Sequence, residues 1–365
     1  MTNNRKIRVG ITQGDTNGIG YEVILKTLSV PEFCELCTPV IYGSSKVMTF
    51  HRKALEMPSL QVNTVRGGQI KDGAVNLIEV CGNEDIKVEL GQPDKQAGHA
   101  AFLSLEAAVA DLNAGNIDVL VTAPISKDNI QSESFNFTGH TEYLEACMGD
   151  GNKALMVLCN ENLRVALVTT HLPISQVPAA ITADAIKEKV HIFNKSLQRD
   201  FGIVKPRIAV LALNPHSGEN GLLGNEEKTV IAPTLQELYD KDKVLCFGPY
   251  AADGFFGNET YRKFDGVLAM YHDQGLAAFK TLAMDNGVNF TAGLPQVRTS
   301  PDHGTGYDIA GKNLASENSF RQAIYAAIDI YRNRLRWDEG HAHPLRKQYF
   351  ERGKDNVVLD LTKDE

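Results

Sequence analysis

The 365-residue chain lacks the features that mark several classes of protein. Its apolar runs, such as Ala154 to Cys159, are far shorter than the ~20 residues that a membrane-spanning helix needs. The six cysteines are scattered and predict no disulfide framework, which favours a reducing compartment. Basic residues are in the minority among the charged residues, with 37 Lys and Arg against 45 Asp and Glu. The resulting net charge of −8 argues against a nucleic-acid or anionic-membrane partner.

A secretion signal and the usual nucleotide-binding motifs are also missing. Met1 to Lys6 leads into a short strand pattern rather than the apolar segment of a signal peptide. The glycine-rich turn from Gly14 to Gly20 has neither the G-x-G-x-x-G nor the Walker A spacing, and Gly304 to Gly311 misses the Rossmann spacing as well. We therefore expect a cytoplasmic protein, and one that could bind NAD only without the Rossmann fingerprint.

What the chain does contain is a regular alternation of apolar strands and amphipathic helices. Runs rich in Val, Ile and Leu predict strands at 8–12, 40–42, 118–122, 164–169, 207–213 and 266–271. Helical stripes lie between them, at 102–112, at 186–197 behind Thr182 as N-cap, and at 320–335. This alternation predicts an α/β fold with a mainly parallel sheet covered on both faces. The short runs within 59–97 predict a local antiparallel excursion.

Three of the predicted strands end in a histidine, at the position where open α/β sheets bind ligands. These residues are His171, His216 and His272. Three imidazoles at one rim of a sheet would suit a catalytic metal with an open coordination position. Each could instead be an ordinary loop or capping histidine, but the repeated placement favours a metal. Imidazole ligands favour Zn²⁺, with Co²⁺ or Mn²⁺ as alternatives.

A second group of polar residues could hold an anion. Lys280, Asn289 and Arg298 follow the third histidine at short range, and two cations with an amide suit a phosphate or carboxylate. The stretch from Phe137 to Glu142 predicts a helix start, where Thr141 and backbone N–H groups could face an anion. The alternative is that both cations lie in solvent on the surface.

Together these motifs resemble those of the 4-hydroxythreonine-4-phosphate dehydrogenase family, the NAD-dependent enzymes of pyridoxal phosphate biosynthesis. The matching segments occur in order: Gly14-Asp15 with Gly18-Ile19-Gly20, Thr122 to Lys127, Gly139 to Glu142, Thr170 to Pro173, Asn214-Pro215-His216, Tyr271 to Gly275, Gly293-Leu294-Pro295, Arg298-Thr299-Ser300 and Asp302 to Thr305. Thr16, Tyr21 and Ala292 depart from the family pattern, without removing a charge or a candidate ligand.

The resemblance implies a role for each candidate residue. The metal ligands would be His171, His216 and His272, with Zn²⁺ preferred and Mg²⁺, Co²⁺ or Mn²⁺ as alternatives. The contacts to a phosphorylated amino-acid substrate would be His140, Thr141, Lys280, Asn289 and Arg298. The adenosine half of NAD would lie against His303, Gly304 and Thr305. For proton transfer we nominate Lys280 and Asp253, because a nearby cation would lower the pKa of the lysine and a carboxylate beside the metal could equally act as base.

The resemblance also implies the overall architecture. It predicts two α/β/α domains around a cleft, as in the isocitrate and isopropylmalate dehydrogenases, and a homodimer whose active sites draw residues from both subunits. We place the first domain at residues 1–125 plus 300–365, and the second, with most metal and substrate residues, at 126–299.

The expected reaction is the NAD- and metal-dependent oxidation and decarboxylation of 4-phosphohydroxy-L-threonine to 3-amino-2-oxopropyl phosphate. Three alternatives stay open: a paralogous dehydrogenase acting on a phosphothreonate, a metal-dependent phosphoester hydrolase, and a non-enzymatic metal-binding homologue. The residues do not decide between NAD and NADP.

Overall fold

The computed structural model describes residues 5–65, 69–82 and 86–343. The strands are β1 Arg8–Thr12, β2 Thr38–Gly43, β3 Asn63–Val65, β4 Asn76–Glu79, β5 Val119–Thr122, β6 Leu155–Cys159, β7 Arg164–Leu167, β8 Arg207–Leu211, β9 Leu245–Tyr250, β10 Gly266–Ala269, β11 Val288–Ala292 and β12 Val297–Pro301. The helices are α1 Gly20–Leu28, α2 Phe33–Leu36, α3 Ser45–Ala54, α4 Lys95–Asn113, α5 His140–Met148, α6 Val177–Ala180, α7 Ala183–Arg199, α8 Ala232–Asp242, α9 Ala252–Gly257, α10 His272–Ala283 and α11 Asn318–His341.

The strands of the described residues form one sheet in the order β3-β4-β2-β1-β5-β12-β11-β6-β7-β10-β8-β9. The strands from β3 to β12 in this order are parallel to one another, and so are those from β7 to β9. Between these two groups, β11 and β6 make only antiparallel pairs. The predicted α/β class with a mainly parallel sheet is therefore confirmed.

The predicted antiparallel excursion within 59–97 is wrong. Strand β4 pairs in parallel with both β2 and β3. The buried Asn76 amide orders the chain that enters β4 by donating to the carbonyl oxygens of Lys71 and Ala74 at 3.0 and 2.8 Å. Alternating apolar residues predict that a strand exists, but they carry no information on its direction. The antiparallel pairs lie instead at β11 and β6, in the middle of the sheet.

Apolar helix faces cover the sheet on both sides, as their spacing predicts. In α4 the side chains of Phe102, Leu105, Val109 and Leu112 are buried. Helix α7 begins behind Thr182, whose hydroxyl oxygen accepts a hydrogen bond from the backbone N–H of Ala185 at 3.2 Å. No helix within the described residues combines the length and apolarity needed to cross a bilayer.

The division into two domains stays a prediction. Residues 1–4, 66–68, 83–85 and 344–365 of the predicted first domain lie outside the described residues. Most candidate residues for substrate lie near the middle of the sheet, where the two parallel groups meet at β11 and β6, whereas His216 follows β8 near one edge.

A buried ion pair fixes α7 and α11 beside the turn between β11 and β12. The guanidinium Nε of Arg334 donates to Asp200 Oδ1 at 2.6 Å, and both side chains are almost fully buried. Arg334 also donates to the carbonyl oxygens of Leu294 and Pro295 at 3.1 and 2.7 Å. The second oxygen of Asp200 accepts from the Ser196 hydroxyl at 2.6 Å. Both carboxylate oxygens of Asp200 and both Nε and Nη1 of Arg334 are therefore hydrogen-bonded, which compensates for the burial of the two charges.

We expect Asp200→Ala to lower the free energy of unfolding by about 3–5 kcal/mol, because it leaves the Arg334 guanidinium buried without a carboxylate. The matched control is Asp338→Ala, which breaks the ion pair with Arg199 at 2.8 Å, where the Asp338 side chain is 55% exposed. That loss should stay below about 1 kcal/mol. Urea denaturation measures both values, and equal losses would contradict the assignment.

Candidate active site

A cavity of about 230 Å³ lies over the face of the central strands. Arg298 and Ser300 of β12, Asn289 of β11 and Met156 of β6 line it. The register places Asn289 opposite Ser300 and Met156 opposite Thr291. Directly opposite residues share a face of the sheet, and so do residues two apart on one strand. The antiparallel pairing at β11 and β6 therefore brings these polar side chains to one place.

Eight of the residues nominated from the sequence line this cavity. The lining residues are His140, Thr141, His171, Lys280, Asn289, Arg298, His303 and Gly304. His272 lies in an adjoining groove of about 300 Å³, which it shares with His171. The remaining nominated residues, His216, Asp253 and Thr305, line neither space.

The wall of the cavity contains a buried cation. The Arg298 side chain is only 2% exposed. Its guanidinium donates to the hydroxyl oxygen of Thr122 at 2.6 and 3.1 Å and to that of Thr291 at 3.2 Å. No carboxylate of the described chain forms an ion pair with it, and burial lowers the pKa of Arg298 to about 9. A buried charge of this kind favours an anionic ligand that supplies the missing countercharge.

Two further polar atoms of the wall have no hydrogen-bond partner among the described residues. They are Nε2 of His140, the first residue of α5, and Oδ1 of Asn289. Burial, together with the nearby charges of Arg298 and Lys127, holds the pKa of His140 well below its ordinary value. Buried polar atoms are rarely left unpaired, so both positions indicate a polar ligand in the cavity.

Lys280 lies on α10 and is held by the end of β12. Its ammonium group donates to the backbone oxygen of Asp302 at 3.1 Å and lies 3.2 Å from the carboxylate Oδ1 of the same residue. The backbone N–H of Asp302 is itself fixed by the Ser319 hydroxyl at 3.0 Å. The ammonium therefore has a defined position at the cavity wall.

His171 follows β7 and lies between two charged side chains. Its Nε2 is 3.3 Å from the Lys127 ammonium, and its Nδ1 is 3.6 Å from the Glu142 carboxylate. The contact with His171 lowers the pKa of Glu142 to about 2, so that this carboxylate is ionised. In the tautomer that carries its proton on Nδ1, toward the carboxylate, the lone pair of Nε2 is directed toward the cation.

His272 has the same arrangement at the start of α10. Its Nδ1 lies 2.7 Å from the Asp273 carboxylate, which leaves Nε2 with its lone pair free to act as a ligand. The ring centroids of His171 and His272 are 6.0 Å apart. Metal-binding histidines commonly donate their other ring N–H to a carboxylate, so these two imidazoles fit the donor chemistry of a divalent cation.

His216 does not join them within one chain. It lies after β8, and β7, β10 and β8 are parallel neighbours, as the prediction of a shared rim requires. His216 is nevertheless exposed, and the part of the chain that the structure describes contains no group of three His, Cys, Asp or Glu residues able to hold a metal. One chain therefore supplies two converging imidazoles and a third that lies apart.

The glycine-rich turn after β1 supports the loop at His303. The backbone N–H of Ile19 donates to the carbonyl oxygen of Thr305 at 2.9 Å, and a Cβ at Gly18 would lie 2.7 Å from that oxygen. The Tyr307 hydroxyl donates to the buried carboxylate of Asp15 at 2.7 Å. This turn therefore packs on the loop that follows β12. His303 contributes another buried, unpartnered atom, Nε2, beside Gly304.

Several residues of the site were not nominated from the sequence. Lys127 and Glu142 lie inside matching segments, and Asp302 directly precedes His303, so a motif search could have included them. The hydroxyl of Thr291 gave no such signal, because its bond to Arg298 depends on the register between β11 and β12.

Comparisons with known proteins agree with these motifs. Residues 35–327 match the family described as pyridoxal phosphate biosynthetic protein PdxA. The chain is 57% identical, over 98% of its length and 97% of the relative, to a 4-hydroxythreonine-4-phosphate dehydrogenase of Bacteroides thetaiotaomicron. It is 41% identical, over 90% of its length and 99% of the relative, to a protein of the same name from Sulfurihydrogenibium sp..

A similar fold occurs in the crystal structure of a 4-hydroxythreonine-4-phosphate dehydrogenase from Klebsiella pneumoniae. The TM-score is 0.76 at 31% sequence identity, and the match covers 89% of this chain and 99% of that one.

The depressed pKa of His140 predicts a pH dependence of folding stability. The unfolded chain protonates this histidine at its ordinary pKa of about 6.5, whereas the folded protein keeps it neutral. Folding stability is therefore lost as the pH falls below about 6.5. We expect His140→Gln to reduce that slope by up to about 1.4 kcal/mol per pH unit. Urea denaturation at a series of pH values measures it, and an unchanged slope would contradict a neutral His140.

Proposed function

The chain belongs to the PdxA family of pyridoxal phosphate biosynthetic proteins, and from this we propose that it is a 4-hydroxythreonine-4-phosphate dehydrogenase. The reaction converts 4-phosphohydroxy-L-threonine and NAD to 3-amino-2-oxopropyl phosphate, carbon dioxide and NADH. The observation that carries the proposal at the level of the site is the fully buried Arg298 cation, which has no carboxylate partner among the described residues. A phosphorylated amino acid supplies the anion that this cation lacks.

The substrate would bind through the residues that converge on the cavity. The cations Arg298 and Lys280 and the unpartnered His140 offer donors to phosphate and carboxylate oxygens. Thr141 lies in the first turn of α5, where the helix N-terminus also favours negative charge. The unpartnered oxygen of Asn289 can accept a hydrogen bond from the substrate hydroxyl or amino group.

We assign His171, His216 and His272 to a divalent cation, with Zn²⁺ preferred over Mg²⁺, Co²⁺ and Mn²⁺. The carboxylates beside Nδ1 of His171 and His272 fit this role. Bound there, such a cation supplies Lewis-acid chemistry that lowers the pKa of a substrate hydroxyl and polarises the ketone formed from it.

His216 would reach the site from a second subunit. Within one chain His171 and His272 approach each other, whereas His216 lies exposed on a separate loop. A homodimer with a two-fold axis could bring each His216 to the site of its partner. This supports the predicted dimer with shared active sites.

Lys280 is the better candidate for proton transfer. Its amino group lies at the cavity wall, whereas Asp253 is exposed on α9 and does not line the cavity. As an ammonium ion Lys280 donates to substrate oxygens. Only after it has released a proton can its neutral amine accept the proton of the substrate hydroxyl, and Asp302 then stabilises the ammonium ion that results. Asp253 keeps the role only if a second subunit brings it to the site.

NAD would lie beside the substrate on the loop at His303. A second cavity of about 240 Å³ shares His303 and Gly304 with the substrate cavity and continues past Met284, Ile309 and Leu314. These apolar side chains suit the face of an adenine ring, and the backbone of Thr305 is fixed by Ile19. The nicotinamide end would then face the substrate, which supports hydride transfer between neighbouring cavities.

The purified protein, given a divalent metal salt, NAD and 4-phosphohydroxy-L-threonine, should produce NADH. Arg298→Met should lower kcat/KM at least about 100-fold, because it removes charge-assisted bonds worth about 1.5–3 kcal/mol each. The matched control is Arg336→Met, at an exposed arginine of α11. NADH absorbance measures turnover.

The same assay separates the alternatives. Turnover of a phosphothreonate without turnover of 4-phosphohydroxy-L-threonine would favour the paralogous dehydrogenase. Release of inorganic phosphate without NAD would favour the hydrolase, and metal binding with no turnover of any substrate would favour the non-enzymatic homologue.

A shared site predicts complementation between inactive variants. His171→Ala and His216→Ala should each be inactive alone. Mixed subunits that exchange at random should recover about one quarter of wild-type activity, because half of the dimers are heterodimers and each of these has one intact site. NADH production after mixing measures the recovery. Mixtures of His171→Ala with His272→Ala are the control and should stay inactive, whereas recovery there would contradict the arrangement.

A further inference from the structure

The loop after β8 contains a turn of left-handed backbone. Six successive residues have positive φ, at 50° for His216, 53° for Ser217, 78° for Gly218, 43° for Glu219, 55° for Asn220 and 102° for Gly221. Only glycine adopts this conformation without steric strain, so the other four positions are unfavourable on their own. The turn must therefore be held by contacts from outside it.

The main contact is a buried carboxylate. Glu227 is 5% exposed. Its Oε1 accepts hydrogen bonds from the backbone N–H groups of Leu213 and Asn214 at 2.8 and 2.7 Å, and its Oε2 accepts from the Asn214 side-chain amide at 3.0 Å. Three donors therefore fix this one carboxylate at the point where the chain enters the turn.

The turn itself packs onto the same carboxylate. A Cβ at Gly218 would lie 2.6 Å from Glu227 Oε2 and 2.8 Å from the carbonyl oxygen of Gly224. On the other side, the Ser217 hydroxyl donates to the carbonyl oxygen of Pro249 at 3.2 Å. The backbone on both sides of His216 is thus fixed.

The side chain of His216, unlike its backbone, is not held by neighbouring residues that the structure describes. It is exposed, and it makes no hydrogen bond to another described residue. Backbone strain is commonly retained where a side chain must be presented in one orientation. The contacts of Glu227 therefore fix the backbone of His216, whereas the imidazole of His216 has no hydrogen bond of its own to the described chain.

We propose that Glu227 is a positioning residue that holds His216 in the orientation in which it binds a divalent cation. This inference rests on the proposed function, because it takes His216 as a metal ligand. Glu227 acts through the backbone of the turn, without contact with substrate or cation. Loss of its negative charge should release the left-handed turn and weaken metal binding.

The test is the affinity of the purified dimer for Co²⁺, measured by competition with a chelator and by the visible absorption spectrum of the bound ion. We expect Glu227→Gln to weaken Co²⁺ binding about 10–100-fold, the range found when residues that support metal ligands are changed. The spectrum should also shift toward that of His216→Ala. The matched control is Glu219→Gln, which removes an exposed carboxylate from the same turn and should leave affinity and spectrum unchanged.

The outcomes separate this inference from the proposed function. If the wild-type protein binds no Co²⁺, the metal assignment fails and the role of Glu227 fails with it. If wild type binds the ion and Glu227→Gln binds it equally, with the same spectrum but a lower melting temperature, Glu227 is only structural and the inference alone is wrong. If Glu227→Gln does not fold, Asn214→Ala replaces it, and unchanged affinity in that variant would overturn the inference.

Discussion

The candidate site depends on one unfavourable charge, the Arg298 guanidinium that is buried between two threonine hydroxyls. The surrounding sheet can hold such a group because β5 and β11 fix the two threonines that bind it. These neutral oxygens only partly replace the water that the guanidinium loses on burial. In the proposed function, an anionic ligand would supply the countercharge that Arg298 lacks, so affinity and selectivity for anions would have a common origin.

Sequence reasoning predicted most of the fold and many of the cavity residues because both follow local rules. The apolar runs locate strands such as β1, and Thr182 locates the start of α7. His140 and Arg298 were found because the family motifs contain them, and Lys280 because it follows His272 at short range; all three line the cavity.

The features that sequence reasoning missed depend on which strands pair, in which direction and in which register, and a single sequence does not specify these. The direction of β4 relative to β2 was predicted incorrectly, since residue spacing is the same in parallel and antiparallel strands. The bond from Arg298 to Thr291 needs the register of two strands. Likewise, the left-handed backbone at His216 is not visible in the order Asn214-Pro215-His216, because it depends on Glu227 eleven residues later.

The reversal of strand direction at β11 and β6 has a mechanical consequence. It places Arg298 in one parallel group and His171 just after a strand of the other, so a molecule that contacts both spans the junction between them. The distance between these two groups therefore depends on how the two halves of the sheet meet at β11 and β6. By thermodynamic linkage, a ligand that binds one arrangement of the two halves more tightly shifts the protein toward that arrangement. A substitution at the junction that changes this arrangement would therefore change ligand affinity without contacting the ligand.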